Sequence, residues 1–357
     1  MNLTDIPHFL SFSPFKKHSH AFLKTKTNAN ANENTNDVVR AFEHSLLLRL
    51  KALNPPSISL SWLSLALDFI SFTHTQARSL ISNLNLSSDS DLDDSLAWYL
   101  DDHSVKLLDL CNSISSEIER LKHRRLFLNF LLQLLSPSDS NVPPSPEKLR
   151  RARDSLPDWD KNNNNNNGSR INKTSAPDLI RDLAAGLGTR GKISGAQNKN
   201  LLRRTILGVG SLTVYFSSVL VSLLYGSGSH EIVTVRVLSD EFSWADSFNS
   251  IQTELTRKFR ERVKGVVLLF QEFDDVATRA REVCDVIDDD KKRTESLNDV
   301  VGELRKLTDV FSENLDRLSN SVNGMFDTVL CTRNGVLENV KVSGFKKEKP
   351  TKKQVTV

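Results

Sequence analysis

The sequence predicts an all-α protein: an elongated bundle of long amphipathic helices with one central apolar helix and a disordered insertion. Three observations favour this class. Apolar residues recur at spacings of three and four over long stretches, as they do on one face of a helix. Residues 205–225 carry no charged side chain at all. Ahead of them, a stretch rich in Pro, Ser and Asn offers too little apolar surface to offset the entropy of ordering it.

The composition is that of a chain able to build a sizeable hydrophobic core. Of its 357 residues, 38% are hydrophobic and 25% are charged. The 47 basic and 44 acidic side chains leave a net charge of only +3, so we expect no nucleic-acid partner. Three widely separated cysteines, Cys111, Cys284 and Cys331, form no metal or redox motif. All three lie in helix-like stretches, where we expect them to be small buried hydrophobes.

The chain divides by composition into successive regions. In order, they are a disordered leader (1–36), an N-terminal helical region (37–136), a low-complexity basic linker (137–200), the apolar helix (205–225), a C-terminal helical hairpin (245–332) and a basic disordered tail (333–357). The leader could also be a plastid transit peptide, but it has no Arg and carries an early Asp5. The linker holds the asparagine run 162–167 and is expected to contain at most short helices.

Three helices are expected in the N-terminal region. The first ends before the Pro55-Pro56 pair and the second spans residues 61–81. The third is on the order of 30 residues long and ends at Ser136-Pro137. Their apolar stripes are, in turn, Val38, Phe42, Leu46 and Leu50; Trp62, Leu65, Phe69 and Phe72; and Leu107, Cys111, Ile114, Ile118, Leu121, Leu128, Leu132 and Leu135.

Two long helices are expected in the C-terminal hairpin. The first runs from Ile251 to Ile287, and the second from Leu297 to Leu330. In the second helix, apolar residues recur at strict sevens, at Leu297, Leu304, Phe311, Leu318 and Met325. Its second apolar row shifts position along the helix, which favours an intramolecular bundle over a coiled-coil dimer. Before the hairpin, EIVTVRVL alternates like a strand, although no partner strand is evident.

The apolar helix is long enough to cross a membrane. Its 21 residues would span about 31 Å, close to the hydrocarbon thickness of a bilayer. Its small and hydroxyl residues fall on one stripe that predicts a seam against another helix: Gly208, Ser211, Tyr215, Ser218, Ser222 and Tyr225. A membrane span would put the helical regions before and after it on opposite sides of the bilayer. A core helix would let them pack together. The two alternatives are nearly balanced, with a slight preference for membrane association.

No arrangement of residues argues for catalysis, and we expect no cofactor, no metal and no enzymatic activity. Gly186, Gly188 and Gly191 satisfy GxGxxG, but no strand precedes them and Ile193 replaces the hydroxyl of a P-loop. The run Asp101-Asp102-His103 sits near a predicted helix start, where acidic residues complement the helix dipole.

Residues 96–121, LAWYLDDHSVKLLDLCNSISSEIERL, resemble a segment shared by the plant BYPASS family. That family pattern reads Tyr-Leu-Asp-x-Ser-Val-x-Leu-Leu-Asp-x-Cys-Asn. The matching residues are Tyr99, Leu100, Asp101, Ser104, Val105, Leu107, Leu108, Asp109, Cys111 and Asn112. This chain has Asp102-His103 where the pattern has one residue, which leaves the register of the segment open. FSPFKK (12–17) and FSWADSFNSIQTEL (242–255) also resemble family landmarks.

The resemblance implies a helical, non-enzymatic plant developmental regulator. Its family members restrain a root-derived mobile signal that arrests shoot growth, and similar relatives are linked to secretory and exocyst proteins. It implies helical protein partners, close to a membrane and on its cytosolic side. The alternatives are a cytoplasmic scaffold linked to the secretory machinery and, less favoured, an enzyme of small-molecule signal metabolism. Neither the resemblance nor the residues predict an oligomeric state.

Overall fold

The structure is a computed structural model that describes residues 28–54, 56–83, 94–136, 144–160, 175–188, 197–225, 232–238, 240–264 and 270–345. The helices are α1 (Asn28–Ala52), α2 (Leu60–Asn83), α3 (Asp94–Trp98), a π-helical turn (Tyr99–His103), α4 (Ser104–Leu135), α5 (Pro146–Asp160), α6 (Ala176–Gly188), α7 (Gln197–Tyr225), α8 (Ala245–Lys264), α9 (Gln271–Asp288) and α10 (Asp290–Phe345). The described residues contain no β-strand, and the predicted all-α class is confirmed.

Periodicity located the core faces of the longest helices correctly. The whole predicted stripe of α4 is buried, and so are the residues at strict sevens in α10. In α1 and α2 the stripes are partly wrong, because Val38 and Leu65 are exposed. Leu60, Leu63, Leu67 and Ile70, none of which belongs to the predicted row, are among the most deeply buried residues of α2.

α7 is enclosed by other helices of the same chain. It packs against α2, α3, α4 and α6. Among the described residues it is the one helix with the length and hydropathy of a membrane span, and 89% of its most apolar window is buried inside the protein. Phe216, near its middle, contacts the rings of Trp62 and Phe69 from α2 at centroid distances of 6.1 and 5.9 Å. The central apolar helix is therefore packed as a core helix.

The helices before and after α7 also pack directly on one another. α10 lies along both α2 and α4. The carboxylate of Glu272, in the first turn of α9, accepts the amide of Leu60 at 3.0 and 3.1 Å and so caps the N-terminus of α2. Arg204 of α7 forms an ion pair with the buried Glu43 of α1 at 2.8 Å. A single core is therefore built from both sides of the apolar helix.

Three segments differ from the sequence-based expectation. The basic linker contains α5 and α6, whose apolar side chains belong to the core. The expected helix from Ile251 to Ile287 is interrupted between α8 and α9, where Phe270 has an extended backbone (φ −96°, ψ 158°) and is fully buried. α10 continues to Phe345, into the region expected to be the tail. The asparagine run, residues 1–27 and residues 346–357 lie outside the described residues.

The cysteines differ in environment. Cys111 is buried in α4, and desolvation raises the pKa of its thiol to about 12. Cys284 is half-buried and Cys331 is exposed on α10, so the expectation that all three are buried is wrong for Cys331.

Candidate functional site

The predicted seam of α7 faces the protein's own C-terminal half. An added Cβ at Gly208 would lie 3.2 Å from the rings of both Phe242 and Trp244, so only glycine lets these aromatics approach so closely. Further along, the Tyr215 ring meets Phe248 of α8 edge-on at 5.2 Å. The structure thus brings part of the seam against the landmark segment 242–255.

Two hydroxyl groups of the seam, those of Ser218 and Tyr215, lie near backbone carbonyls. Ser218 Oγ donates to the carbonyl of Tyr215 at 2.8 Å and lies 3.4 Å from the carbonyl of Val233. Tyr215 Oη lies 3.5 Å from the Gln252 carbonyl, and burial raises the pKa of the phenol. Ser222 is buried, whereas Ser211 and Tyr225 are only half-buried. Back-bonding of this kind lets hydroxyls sit in an apolar helix without orphaned donors.

The extra residue of the family-like segment coincides with the π-helical turn at Tyr99–His103. There the Ser104 amide donates to the Tyr99 carbonyl, five residues back. Such a turn holds one residue more than an α-turn, so it can accommodate an extra residue such as Asp102 or His103. The Leu100 carbonyl instead accepts the Ser104 hydroxyl at 3.0 Å and Nε of Arg333 at 3.2 Å. The turn is thereby tied to α10.

The family-like residues divide between the core and the surface. Tyr99, Leu100, Ser104, Leu107 and Cys111 are buried. On the opposite face, Asp101, Val105, Asp109 and Asn112 are exposed, and Leu108 is half-buried between the two faces. The carboxylates of Asp101 and Asp109 therefore do not converge on a site.

Two histidines lie inside the core, His74 from α2 and His103 from the π-turn. His74 Nε2 lies 3.1 Å from the hydroxyl of Thr213, and its Nδ1 lies 3.4 Å from Tyr99 Oη. His103 stacks 4.6 Å from the Trp98 ring, and neither of its ring nitrogens has a hydrogen-bond partner among the described residues. The cluster is linked by hydrogen bonds through His74 but not through His103.

Desolvation keeps both histidines neutral. It lowers the pKa of His74 to about 4 and, together with the charges of His74 and Lys106, lowers that of His103 to about 3. The described residues hold no group of three His, Cys, Asp or Glu side chains close enough for a metal ion. Because the two rings lie in the core, the arrangement is that of a buried structural cluster.

A patch of apolar side chains on the second half of α4 is uncovered. Leu126, Phe127 and Phe130 are 60%, 45% and 49% exposed. We call these three residues the α4 patch. Their neighbours Leu128, Leu131 and Leu132 are buried on the opposite face. An apolar surface of this kind marks a contact site for another molecule.

The strand-like segment, residues 232–238, lies along α8 and is held by amide side chains. Gln252 accepts the Val235 amide at 3.1 Å through Oε1 and donates to the Val235 carbonyl at 3.0 Å through Nε2. One turn earlier in α8, Asn249 donates to the Val237 carbonyl at 2.9 Å. Two side chains of a helix thus bond one edge of this segment as a neighbouring strand would.

Two of these surfaces were not found from the sequence. Phe127 and Phe130 are large apolar residues that lie outside the Leu128–Leu132 stripe of α4. Their position was the sequence signal for an exposed apolar surface. Gln252 bonds a backbone 17 residues away, and no local pattern announces such a contact.

Comparison with known proteins supports the resemblance. A family model described as "Protein ROH1-like" matches residues 23–196. "UPF0496 protein 4" from Oryza sativa subsp. japonica is 32% identical over 69% of this chain and 53% of its own length. Its counterpart in subsp. indica matches to the same extent, so the chain spans about half the length of these rice relatives.

A longer match joins the chain to an Arabidopsis thaliana protein. "Protein BPS1, chloroplastic" is 29% identical over 80% of this chain and 78% of its own length. No solved structure matches the chain. The sequence motif and these relatives agree that the chain is BYPASS-like: it is similar to BPS1 and to the ROH1-like and UPF0496 proteins.

Proposed function

We propose that this protein is a non-enzymatic, BYPASS-like plant developmental regulator that acts through contacts with other proteins. The observation that carries the proposal is the α4 patch, in which three large apolar side chains stand in solvent on a helix whose other face is fully packed. Because these side chains are about half exposed, covering the remainder of each would provide roughly 1 kcal/mol. A partner that covers the patch recovers this free energy.

The partner we propose for the α4 patch is a helix of another protein, packed alongside α4. The patch is one helix face wide, with residues at i, i+1 and i+4, which matches the side-by-side contact of two helices. The adjoining Arg125 is held by Asp316 of α10 at 2.9 Å, so the patch is bordered on this side by a neutralised pair. A contact of this size is a weak or transient one.

The test is complementation in a plant that lacks the protein. A triple variant, Leu126→Ser, Phe127→Ser and Phe130→Ser, should fold like the parent, because the three side chains contribute little to the core. It should nevertheless fail to restore normal shoot development. Full rescue by this variant would overturn the proposal, provided that circular dichroism and thermal melting match those of the parent.

The finer developmental role we propose is restraint of a root-derived mobile signal. The family resemblance and the similarity to protein BPS1 support it. Reciprocal grafting tests it: roots lacking this protein should arrest a normal shoot, whereas normal roots should support a shoot that lacks it. If arrest followed the genotype of the shoot instead, the protein would not act by restraining a root-derived signal.

For location, we propose that α7 stays within the protein core and that membranes are reached only through partners or the lysine-rich tail. The direct packing of α2 and α4 on α10 supports this, because a spanning α7 would separate them. Carbonate extraction of plant membranes should release the protein into the supernatant. Retention in the pellet would instead favour the integral-span alternative. The relative BPS1 carries "chloroplastic" in its name, so fractionation should include plastids.

A soluble scaffold for the secretory machinery is a second candidate, and the same patch supports it. Exocyst subunits recovered with the parent protein but not with the triple patch variant would favour this candidate. An enzyme of small-molecule metabolism is the least favoured alternative, since His74 and His103 are buried in the core rather than placed in an accessible cleft.

A further inference from the structure

The strand-like segment has two edges, and the structure accounts for one of them. Backbone groups of Val233, Val235 and Val237 point towards α7 and α8, where they bond Ser218, Gln252 and Asn249. In a strand, the backbone groups of alternate residues point to opposite edges. The amides and carbonyls of Thr234 and Arg236 therefore face the other edge. Within the described ranges they have no hydrogen-bond partner.

A groove runs along the same segment on its α8 side, where Asn249 and Gln252 also line it. It has a volume of about 900 Å³ and lies between the segment and the exposed face of α8. Thr234 and Arg236 line it from one side, and Thr256, Arg257 and Arg260 line it from the other. The Thr256 hydroxyl is buried without a hydrogen-bond partner in the described part of the chain. The groove thus brings arginine side chains of α8 beside the segment, while the Thr256 hydroxyl lies beneath its surface.

The charge of the groove is positive. Arg257 is already neutralised by Glu254 and Glu261, at 2.6 and 2.7 Å. Arg236 and Arg260 have no acidic partner among the described residues. An occupant with carboxylates would therefore complement the groove, whereas a second copy of this segment would bring further arginines against it.

We propose that residues 232–238 form a docking edge for an extended acidic segment of a partner protein, which adds to Thr234 and Arg236 as a strand. Main-chain hydrogen bonds would hold the occupant, and its carboxylates would pair with Arg236 and Arg260. The Gln252 and Asn249 amides keep the segment in position before the partner arrives, so little ordering entropy is lost on binding.

The probe for this proposal is a fluorescein-labelled synthetic peptide of alternating Glu, Val and Thr, titrated into the full chain and followed by anisotropy. The acidic peptide should bind, and a peptide with Lys in place of every Glu should not. Failure of the acidic peptide to bind at millimolar concentration would overturn the proposal.

Three variants distinguish the contribution of main-chain hydrogen bonds to binding from that of side-chain charge. Arg236→Pro removes both the outward amide donor and the charge, and should weaken binding by about tenfold or more. Arg236→Gln removes only the charge and should weaken binding by a smaller factor. Arg281→Gln removes an equal charge from the exposed face of α9 and should leave binding unchanged. Equal loss in Arg236→Pro and Arg236→Gln would mean charge attraction alone and would count against strand addition.

Amide hydrogen exchange reports main-chain hydrogen bonds, which attraction between charged side chains alone would not form. In the free protein the Val235 amide should exchange slowly and those of Thr234 and Arg236 quickly. The peptide should slow exchange at Thr234 and Arg236, and binding without that protection would refute strand addition. Analytical ultracentrifugation tests the alternative that a second copy of this chain binds the edge. A dimer that Arg236→Pro abolishes would show that the occupant is another copy, contrary to the proposal.

Discussion

α7 and the second half of α4 are both rich in large apolar side chains, yet their surroundings are opposite. α7 is buried on every side along most of its length, and Phe216 sits among aromatic rings from α2 and α8. On α4, Phe127 and Phe130 stand in solvent one helical turn from fully buried leucines. Hydropathy alone does not tell which of these apolar side chains are covered, because it measures the preference for burial and not the presence of a neighbour.

The difference between α7 and α4 is whether other elements of the same chain pack over the apolar side chains. Trp62, Phe69 and Phe248 come from distant parts of the sequence and converge on α7. No described element lies over the α4 patch. An apolar helix that is covered contributes to folding, whereas one that is uncovered is available for binding.

Truncating the covered helix should have the largest effect. Phe216→Ala should lower the free energy of unfolding by about 3–5 kcal/mol, because it removes a fully buried ring and leaves a cavity. Urea denaturation of the purified chain, without detergent, measures this. The matched substitution Phe130→Ala should change stability far less, and equal losses for the two would break the distinction drawn between α7 and α4.

Enlarging the seam should have the next largest effect. Gly208→Val adds methyl groups where a Cβ alone would already lie 3.2 Å from two aromatic rings, so we expect a loss of about 1–3 kcal/mol. Gly302→Val on α10 is the control, since nothing lies within 4 Å of its added Cβ. A Gly208 variant that melts at the parent temperature would show that the seam is loosely packed.

The buried histidines should make stability depend on pH. Their folded pKa values, about 4 and 3, lie below the unfolded value of 6.5, so the unfolded chain binds more protons between these limits. Stability is then fully present above pH 6.5 and falls as the pH decreases, by up to about 1.4 kcal/mol per pH unit for each histidine.

Urea denaturation between pH 7.5 and 5 measures this dependence. His103→Phe, which keeps an aromatic ring beside Trp98 but cannot be protonated, should flatten the slope relative to the parent. An unchanged slope would show that His103 is accessible to protons in the folded state.

The smallest effect on stability should come from the α4 patch. Phe130→Ser should change the free energy of unfolding by no more than about 0.5 kcal/mol, as is usual at exposed positions. It should nonetheless lower the tendency to self-associate, which static light scattering at high protein concentration measures. A marked loss of stability would mean that the patch is covered by the chain itself.

The periodicity of apolar residues predicted most of the helices but few of the tertiary contacts that surround them. The recurrence of Leu304, Phe311 and Leu318 is a property of consecutive residues, and it placed the buried face of α10 directly. The cap that Glu272 provides to α2 joins residues 212 apart in sequence, so no window of sequence contains it. The same holds for the neighbours of α7.

The functional surfaces show the same limit. The alternation in EIVTVRVL indicated a strand, but residues 232–238 form none, and their backbone is bonded by a pair of helix side chains rather than by another strand. The burial of His103 depends on the π-turn, whose extra residue is visible only against the family pattern.

That turn has a consequence for how such a helix changes over evolution. One residue inserted into a continuous α-helix rotates everything beyond it by about 100°, which would turn a packed face towards solvent. The widened turn at Tyr99–His103 confines the insertion to five residues and leaves the helix on either side in phase. A helix can thereby take up an extra residue in the way that loops do.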